Sequence, residues 1–284
     1  MANYTKIDGS TFDTKDPSNG IIPFSMSVEG TEGSGKTWLS LMTTPLPVVH
    51  VNFSDREATH FLYDMCEERR AKTTLYSFQA ANSTGWSRAE GMESLKALSD
   101  IAQEELLNNK LHGGTFVIDS GSSWWEVMQE VYVKPKLEAI DRDPDKKRRG
   151  GLEYGEANLV VKGIINWLKA QGAFFIMTHQ KVQEWGPSGP IPGMYRTRGI
   201  NSQVAFMVEV RADVYKTCNV CGSPECRAKG HVGRSHWARI TKFGKNSAME
   251  GMDIPGPTFS TIYGLYSGRP LPKGAVPEDK NGDE

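Results

Sequence analysis

Short apolar runs alternate with longer segments of helical period along most of this 284-residue chain. Each run is apolar or alternating over about five residues, which is typical of strands. The runs comprise residues 24–28, 48–53, 74–78, 115–119 and 173–178. Apolar positions recur at helical spacing most clearly in residues 89–109, 122–140 and 152–170. Strands that alternate with helices of ten or more residues predict an α/β fold, in which helices cover both faces of a mostly parallel central sheet.

The two ends of the chain and its late third depart from this regular pattern. Residues 1–22 are polar and predict a flexible N-terminal arm, whereas residues 267–284 predict a disordered, mildly acidic tail. Between them we expect one core of residues 23–266, which carries a small zinc-binding insertion at residues 216–237. Further strand candidates in the late third are residues 204–211, 213–217, 236–242 and 258–263.

Composition and charge narrow the class of protein without identifying a partner. Charged residues make up 24% of the chain, hydrophobic residues 38%, and the formal net charge is −1. A balance this even gives no overall attraction to nucleic acid, so any such contact must come from local basic patches. No apolar run approaches the ~20 residues of a membrane span, and the N-terminus lacks the apolar segment of a signal peptide. We therefore expect an intracellular, cytoplasmic protein with no membrane partner.

Residues 30–37, here called the glycine-rich loop, fit the phosphate-binding pattern of two glycines separated by four residues and followed by Lys and then Ser or Thr. The glycines let backbone N–H groups approach phosphate oxygens closely. Lys36 offers a charge to the β- and γ-phosphates, and Thr37 offers a hydroxyl group to Mg²⁺. The alternative is a glycine-rich turn without a ligand. The predicted nucleotide-binding residues are Gly30, Thr31, Glu32, Gly33, Ser34, Gly35, Lys36, Thr37 and Trp38.

A carboxylate, Asp119, ends the apolar run of residues 115–119. In open α/β sheets, ligands gather at the carboxyl ends of the strands, which would bring Asp119 beside the glycine-rich loop. Such a carboxylate holds Mg²⁺ directly or through water. The sequence therefore predicts that Thr37 and Asp119 share one Mg²⁺ ion.

Five blocks of sequence, taken in order, resemble the RecA-type recombinase ATPases, in particular the short phage-encoded RecA-like single-strand annealing proteins. The blocks are the glycine-rich loop and residues 52–57, 116–120, 174–180 and 239–245. The resemblance extends over residues 22–265 and implies a RecA-like phosphate-loop core that uses ATP and Mg²⁺. Three features differ from the family pattern. Its long N-terminal polymerisation helix is not obvious here, and a cysteine cluster interrupts the late strands. The spacing of Lys242 and Lys245 also differs from the commonest spacing in the family.

The resemblance also implies roles for residues outside the glycine-rich loop. Glu57 would polarise the attacking water, and Gln180 would sense the γ-phosphate. Lys242 and Lys245 would reach across a subunit interface to the nucleotide of a neighbour. Each has a plainer alternative: a carboxylate favoured at a helix start, a strand-end amide, and solvated hairpin lysines.

The same resemblance implies a homo-oligomer, either a ring or a filament, that hydrolyses ATP, binds single-stranded DNA and promotes annealing or homologous recombination. A single-strand-binding protein would be a further partner, and the chain would be phage-encoded and act in the cytoplasm of a bacterial host. Two alternatives remain. One is an ATP-dependent DNA-binding module whose slow hydrolysis serves only release, and the other is a ring helicase or packaging motor.

Residues 183–199 form a long segment rich in Gly and Pro, which predicts a functional or flexible loop. In this loop Arg196 and Arg198 can neutralise phosphates, while Trp185 and Tyr195 can stack on bases. We therefore predict a contact with single-stranded DNA here, with a partner-binding or merely disordered loop as the alternative. Four consecutive basic residues at 146–149 are a second candidate for phosphate contacts, although a solvated loop is the plainer explanation.

Three of the four cysteines crowd into residues 218–226. Cys218, Cys221, Cys226 and His231 form a C-x2-C-x4-C-x4-H array, and three thiolates with one imidazole make a closed tetrahedral zinc site. His236 could replace His231 as the fourth ligand. The alternative is a hairpin with free thiols.

Overall fold

One nine-stranded sheet organises the chain, with strand order β3-β2-β4-β5-β1-β7-β8-β9 and with β6 paired to an extension of β5. The structure is a computed structural model that describes residues 21–53, 57–80, 85–107, 111–143, 152–187, 189–197, 207–223, 226, 231 and 233–277. The strands are β1 (Ser25–Gly30), β2 (Val48–Asn52), β3 (Thr73–Ser77), β4 (Thr115–Asp119), β5 (Phe174–Gly186), β6 (Gly189–Thr197), β7 (Val210–Cys218), β8 (Arg234–Phe243) and β9 (Asp253–Pro255).

Helices connect most of these strands. They are α1 (Lys36–Met42), α2 (Glu57–Asp64), α3 (Glu67–Ala71), α4 (Arg88–Leu107), α5 (Gly121–Met128), α6 (Lys134–Asp141), α7 (Gly155–Ala170) and α8 (Phe259–Ser267). A π-helical turn, Gln129–Val133, joins α5 to α6, and short 3-10 helices occupy Leu152–Tyr154 and Ser247–Met249. None of the helices in the part of the chain that is described is both long and apolar enough to cross a membrane.

The six strands from β3 to β7 run parallel, and β8, β9 and β6 are antiparallel to their neighbours. The parallel strands are apolar on both faces because helices cover both sides. Along β5, Phe174 and Ile176 face the cluster that includes α1 and α8, whereas Phe175 and Met177 face the cluster that includes α4, α5 and α7. The predicted mixed α/β fold with a mostly parallel central sheet is confirmed.

A hairpin occupies the region in which the sequence predicted a long loop, so the prediction for residues 183–199 is wrong over most of its length. β5 continues to Gly186, and β6 pairs with it antiparallel, with a register shift between Gln183 and Trp185. The prolines that suggested a loop lie in β6. Among the described residues β6 pairs with β5 only, and edge strands of this kind tolerate proline.

The strand predicted at residues 258–263 is also wrong, because this segment begins helix α8. Thr258 caps it by accepting a hydrogen bond from the Thr261 N–H group, and Gly268 ends it with φ of +71°. The two strands predicted at 204–211 and 213–217 are one strand, β7, in the described residues. Of the predicted tail, residues 267–277 are described. Ser267 ends α8, and the Leu46 N–H group donates to the Ala275 carbonyl. The predicted arm lies outside the described residues except for residues 21 and 22.

Candidate active site and metal centre

The glycine-rich loop joins β1 to α1, and three of its positions require glycine. Gly33 and Gly35 have φ of +67° and +101°, a backbone region that other residues rarely adopt. Gly30 has a different reason. A Cβ atom there would lie 2.4 Å from the Ser34 hydroxyl oxygen and 2.5 Å from the Val214 carbonyl oxygen. The first position of the loop can therefore pack against β7 only if it is glycine, as Gly30 is.

Donors point into the concave side of this loop. The Lys36 ammonium group donates to the carbonyl oxygens of Gly30, at 3.1 Å, and Thr31, at 2.8 Å. The hydroxyl group of Ser34 is buried and has no hydrogen-bond partner among the described residues. A buried donor without a partner and an ammonium group held by loop carbonyls fit an anionic phosphate group, which accepts hydrogen bonds from both.

Asp119 lies at the carboxyl end of β4, where several donors surround it. Thr37 Oγ1 donates to Asp119 Oδ2 at 2.8 Å, and Thr178 Oγ1 donates to Oδ1. His50 Nε2 lies 3.5 Å from Oδ2. Burial alone would raise the pKa of this carboxyl group, but the His50 contact and the two hydroxyl donors lower it overall. A hydroxyl and an ionised carboxylate this close together fit one Mg²⁺ ion, which prefers oxygen ligands.

Lys36, Thr37 and Asp119 line one cavity of about 600 Å³, here called the loop cavity. Among the predicted residues, the loop cavity is lined by Glu32, Gly33, Gly35, Lys36, Thr37, Trp38, Asp119 and Gln180. Gln180 is fixed by a hydrogen bond from its backbone N–H group to the hydroxyl oxygen of Ser122 in α5, at 3.1 Å. The structure thus brings together the glycine-rich loop, the carboxyl end of β4 and Gln180 in the middle of β5.

The side chain of Glu57 lies outside what the structure describes. Its backbone begins α2, and Phe61, one turn later on the same helix, lines the loop cavity.

Several residues that the sequence analysis did not assign to the nucleotide site also line the loop cavity. Ser123 and Glu126 reach it from α5, and Lys216 and His236 reach it from the β7–β8 hairpin. The order of motifs gives no signal for the last two, because only the strand register brings them near the loop. Glu126 does have a signal, since it follows Asp119 by two helical turns.

Lys242 and Lys245 line neither the loop cavity nor its neighbour described below. Lys242 pairs with Arg211 near the start of β7, and its ammonium group donates to the Val208 carbonyl at 2.5 Å. Lys245 lies 4.3 Å from the centre of the Tyr266 ring. Both therefore sit toward the opposite edge of the sheet from the glycine-rich loop of their own chain. Their proposed action on a neighbouring subunit stays a prediction.

A second cavity, of about 790 Å³, lies between the β5–β6 and β7–β8 hairpins and is here called the hairpin cavity. Thr31, Glu32, Gly33 and Ser34 line one side, and Tyr195, Tyr215 and Arg234 line another. Within it Lys181 forms an ion pair with Asp213. Arg239, also on its wall, forms a bidentate ion pair with Asp253.

On the outer part of the β5–β6 hairpin, Trp185 is 76% exposed, and Tyr195 and Arg196 are exposed as well. Arg198 and the basic residues 146–149 lie outside the described residues. The hairpin is connected to the glycine-rich loop through Glu29. This buried carboxylate accepts hydrogen bonds from Thr197 Oγ1 and Arg211 Nε, each at 2.6 Å. Burial would raise the pKa of Glu29, but the Arg211 guanidinium outweighs it and lowers that pKa.

Cys218, Cys221, Cys226 and His231 meet in the connection between β7 and β8. One ligand atom from each lies within 4.8 Å of all the others, and His231 Nδ1 is 3.2 Å from Cys226 Sγ. Tetrahedral ligands on zinc would be about 3.5 Å apart, so the group needs little movement to bind an ion. His236 faces Gly35 instead, which leaves His231 as the fourth member.

The surroundings of the Cys218 thiol lower its pKa. Backbone N–H groups of Cys221 and Val220 donate toward its sulfur and lower its pKa to about 6. Metals bind thiolates rather than thiols, so this arrangement favours a metal such as zinc. The remaining cysteine, Cys66, precedes α3 as its half-buried N-cap residue.

Neither a scan against models of protein families nor a search among curated proteins finds a match for this chain.

Proposed function

We propose that this protein is a Mg²⁺-dependent ATPase of the RecA type that binds single-stranded DNA as a homo-oligomer and promotes annealing or recombination. The observation that carries the proposal is the meeting of Lys36, Thr37 and Asp119 in the loop cavity, at the carboxyl ends of parallel strands. In open α/β sheets this is the edge where ligands bind.

Each of these residues has a defined task in phosphoryl transfer, which needs positioning and charge more than covalent help. Lys36 would leave the carbonyls of Gly30 and Thr31 and donate to phosphate oxygens. Thr37 and Asp119 would hold Mg²⁺, which supplies positive charge to the β- and γ-phosphates when bound. Gln180, fixed to α5 through its backbone, would contact the terminal phosphate.

Two carboxylates can orient the attacking water. Glu57 has the RecA-type place after the second strand, whereas Glu126 is the one whose described side chain lines the loop cavity. A ring helicase or packaging motor is the second candidate function. A packaging motor would more often carry its glutamate directly after the β4 strand, where this chain has Ser120, so this candidate requires Glu126, which lines the loop cavity from α5, to take that role.

The exposed side of the β5–β6 hairpin supports the single-stranded DNA partner. Trp185 and Tyr195 can stack on bases, and Arg196, together with Arg198, can neutralise phosphates. Because β5 begins in the sheet beside β1 and continues into this hairpin, DNA and nucleotide would act on one continuous strand. A single-strand-binding protein would hand DNA to this surface.

The first experiment measures binding of a fluorescent ATP analogue and ATP turnover in four proteins: wild type, Lys36→Ala, Glu57→Gln and Glu126→Gln. Lys36→Ala should lose binding. The carboxylate that orients water should keep binding and lose most turnover when changed to the amide. Wild-type protein that binds no nucleotide would sink the proposal, whereas loss of turnover in Glu126→Gln alone would favour the motor.

The hypothesis that Lys242 and Lys245 act on the nucleotide of a neighbouring subunit has its own test. A Lys242→Ala, Lys245→Ala double variant should bind ATP and hydrolyse it slowly, and mixing it with Lys36→Ala protein should restore some turnover. A mixture that co-assembles on single-stranded DNA but stays as inactive as its two components would remove these lysines from the site.

A further inference from the structure

We propose that the cluster of Cys218, Cys221, Cys226 and His231 is a structural metal site that holds Lys216 over the glycine-rich loop of the same chain. There Lys216 supplies a positive charge to the bound phosphate. The inference rests on the proposed function and adds to it a cation in cis and a dependence of nucleotide affinity on the metal.

The first step of the argument is the position of Lys216. It lines both the loop cavity and the hairpin cavity, as do Glu32 and Gly33 of the glycine-rich loop. In the loop cavity it shares the wall with Lys36, Thr37 and Asp119, which are the residues that would hold the phosphates and Mg²⁺.

The second step is the state of its charge. The other cations of the hairpin cavity are engaged: Lys181 pairs with Asp213, Arg239 pairs with Asp253, and Arg234 donates to the Cys226 carbonyl. Within the described ranges, no carboxylate lies within ion-pair distance of the Lys216 ammonium group. A cation left without a carboxylate partner at a cavity wall is suited to an anionic ligand.

The third step is how Lys216 is held. β7 pairs with β1 only as far as Asp213, because β1 ends at Gly30 and turns into the loop. Beyond that point, among the described residues, the ladder of β7 continues with β8 only, and His236 of β8 lies directly opposite Lys216. The ring of His236 lies 3.6 Å from the position that a Cβ atom on Gly35 would take, so the histidine of this cross-strand pair packs against the loop.

The fourth step connects this pair to the metal ligands. Cys218 follows Lys216 by two residues on the same strand, and its partner in the ladder, Arg234, precedes His236 by two. An ion bound by the cluster would close the end of the hairpin and fix both strands at the point where the sheet no longer does. Without the ion, the end of the hairpin has only its own hydrogen bonds to keep Lys216 over the loop.

The test measures the dissociation constant of a fluorescent ATP analogue with Mg²⁺ in metal-loaded and metal-stripped protein, for wild type, Lys216→Met and Lys162→Met. Stripped protein is freed of chelator before Mg²⁺ is restored, and bound zinc is counted in each sample. Lys162 is an exposed lysine on α7 that lines neither cavity, so it controls for the loss of one positive charge.

We expect Lys216→Met to weaken binding about tenfold in loaded protein, as the loss of one charge-assisted hydrogen bond would. Stripping the metal should weaken wild type and Lys162→Met by a similar factor, and zinc should restore them. Stripping should have little further effect on Lys216→Met, because the metal acts through that side chain. Circular dichroism should show that the sheet survives in every sample.

The outcomes separate the two proposals. Binding that depends on Lys36 but is unchanged by Lys216→Met or by stripping overturns this inference alone. The same holds if stripping weakens Lys216→Met as much as wild type, or if purified protein contains no metal and binds none. Cys221→Ser, with Cys66→Ser as its matched control, repeats the test without a chelator. Wild type that binds no triphosphate overturns the proposed function and this inference with it.

Discussion

Strands β1, β2 and β4 are buried along their whole length, whereas β7 and β8 alternate between buried and partly exposed residues. In the parallel part, Asp119 and Thr37 are positioned by apolar packing beneath them and by short hydrogen bonds. In the hairpins, Lys181, Arg211 and Lys216 are positioned by ion pairs, by the ladder and by the cysteine cluster. Substitutions in the parallel part should therefore change mainly the free energy of unfolding. Substitutions in the hairpins should change mainly the affinity for nucleotide or DNA.

The largest effect is expected in the apolar core. Phe174 is fully buried, and its ring centre lies 5.6 Å from that of Phe24 and 5.0 Å from that of Phe259. Phe174→Ala should lower the free energy of unfolding by about 4 kcal/mol, because the aromatic cluster cannot fill the space. Urea denaturation measures this change, and Phe174→Leu should lose much less. A loss below about 1 kcal/mol would show that the core can repack.

Breaking the link between the core and the β5–β6 hairpin should have the next largest effect. Glu29→Gln removes a buried carboxylate that accepts from Arg211 and Thr197, and should lower the free energy of unfolding by about 3 kcal/mol. Arg211→Met measures the other partner, and the double variant should lose less than the sum of the two single changes. Additive losses would mean that the pair is not coupled.

This link also predicts a pH dependence. The folded pKa of Glu29 is below the ordinary glutamate value of about 4.3, so its contribution to stability is present above that pH. It is lost as the pH falls through the folded pKa. The difference in stability between wild type and Glu29→Gln should therefore shrink in acid, and a constant difference would contradict the assignment.

An aromatic residue on the hairpin should behave in the opposite way to Phe174. Trp185→Ala should change the free energy of unfolding by less than about 0.5 kcal/mol, because the side chain is 76% exposed. It should weaken single-stranded DNA binding by about 1–3 kcal/mol if a base stacks on it. Fluorescence anisotropy with labelled DNA measures this, and Tyr63→Ala, another exposed aromatic residue, is the control. Equal DNA affinity in the two variants would show that the DNA contact does not involve Trp185.

The smallest effect is expected at the outer ion pair of Arg239 and Asp253. Both side chains are partly exposed, so Asp253→Asn should lower the free energy of unfolding by no more than about 1 kcal/mol, and less in high salt. Thermal unfolding at two salt concentrations measures it. A larger, salt-independent loss would mean that the hairpins depend on such pairs more than the comparison allows.

The parallel part could be predicted from the sequence because burial on both faces of its strands requires apolar residues at consecutive positions. The strands are continuous apolar runs, glycine is required where a side chain would collide, and Asp119 ends a strand. The cysteine cluster was equally visible, since ligand spacing fixes the chemistry whatever the surrounding structure. These signals are local, and each survives without knowledge of the rest of the chain.

The failures share a different cause. Prolines in β6 suggested a loop, although an edge strand tolerates them. Aromatic and β-branched residues at 258–263 suggested a strand, although Thr258 and Gly268 are helix-capping residues that could have identified α8. Lys216 and His236 carry no motif, because only the register of β7 against β1 and β8 brings them over the glycine-rich loop.

The central place of β1 has a consequence for how the chain acquires its structure. β1 leaves the ribosome well before its two partners, which begin only at Phe174 and Val210. Until those segments are synthesised, β1 and the loop after it have no edge to join. Pairing between strands so distant in sequence is slow, because a long loop must close first. We therefore expect nascent chains that end before residue 210 to need protection from aggregation, however stable the finished protein is.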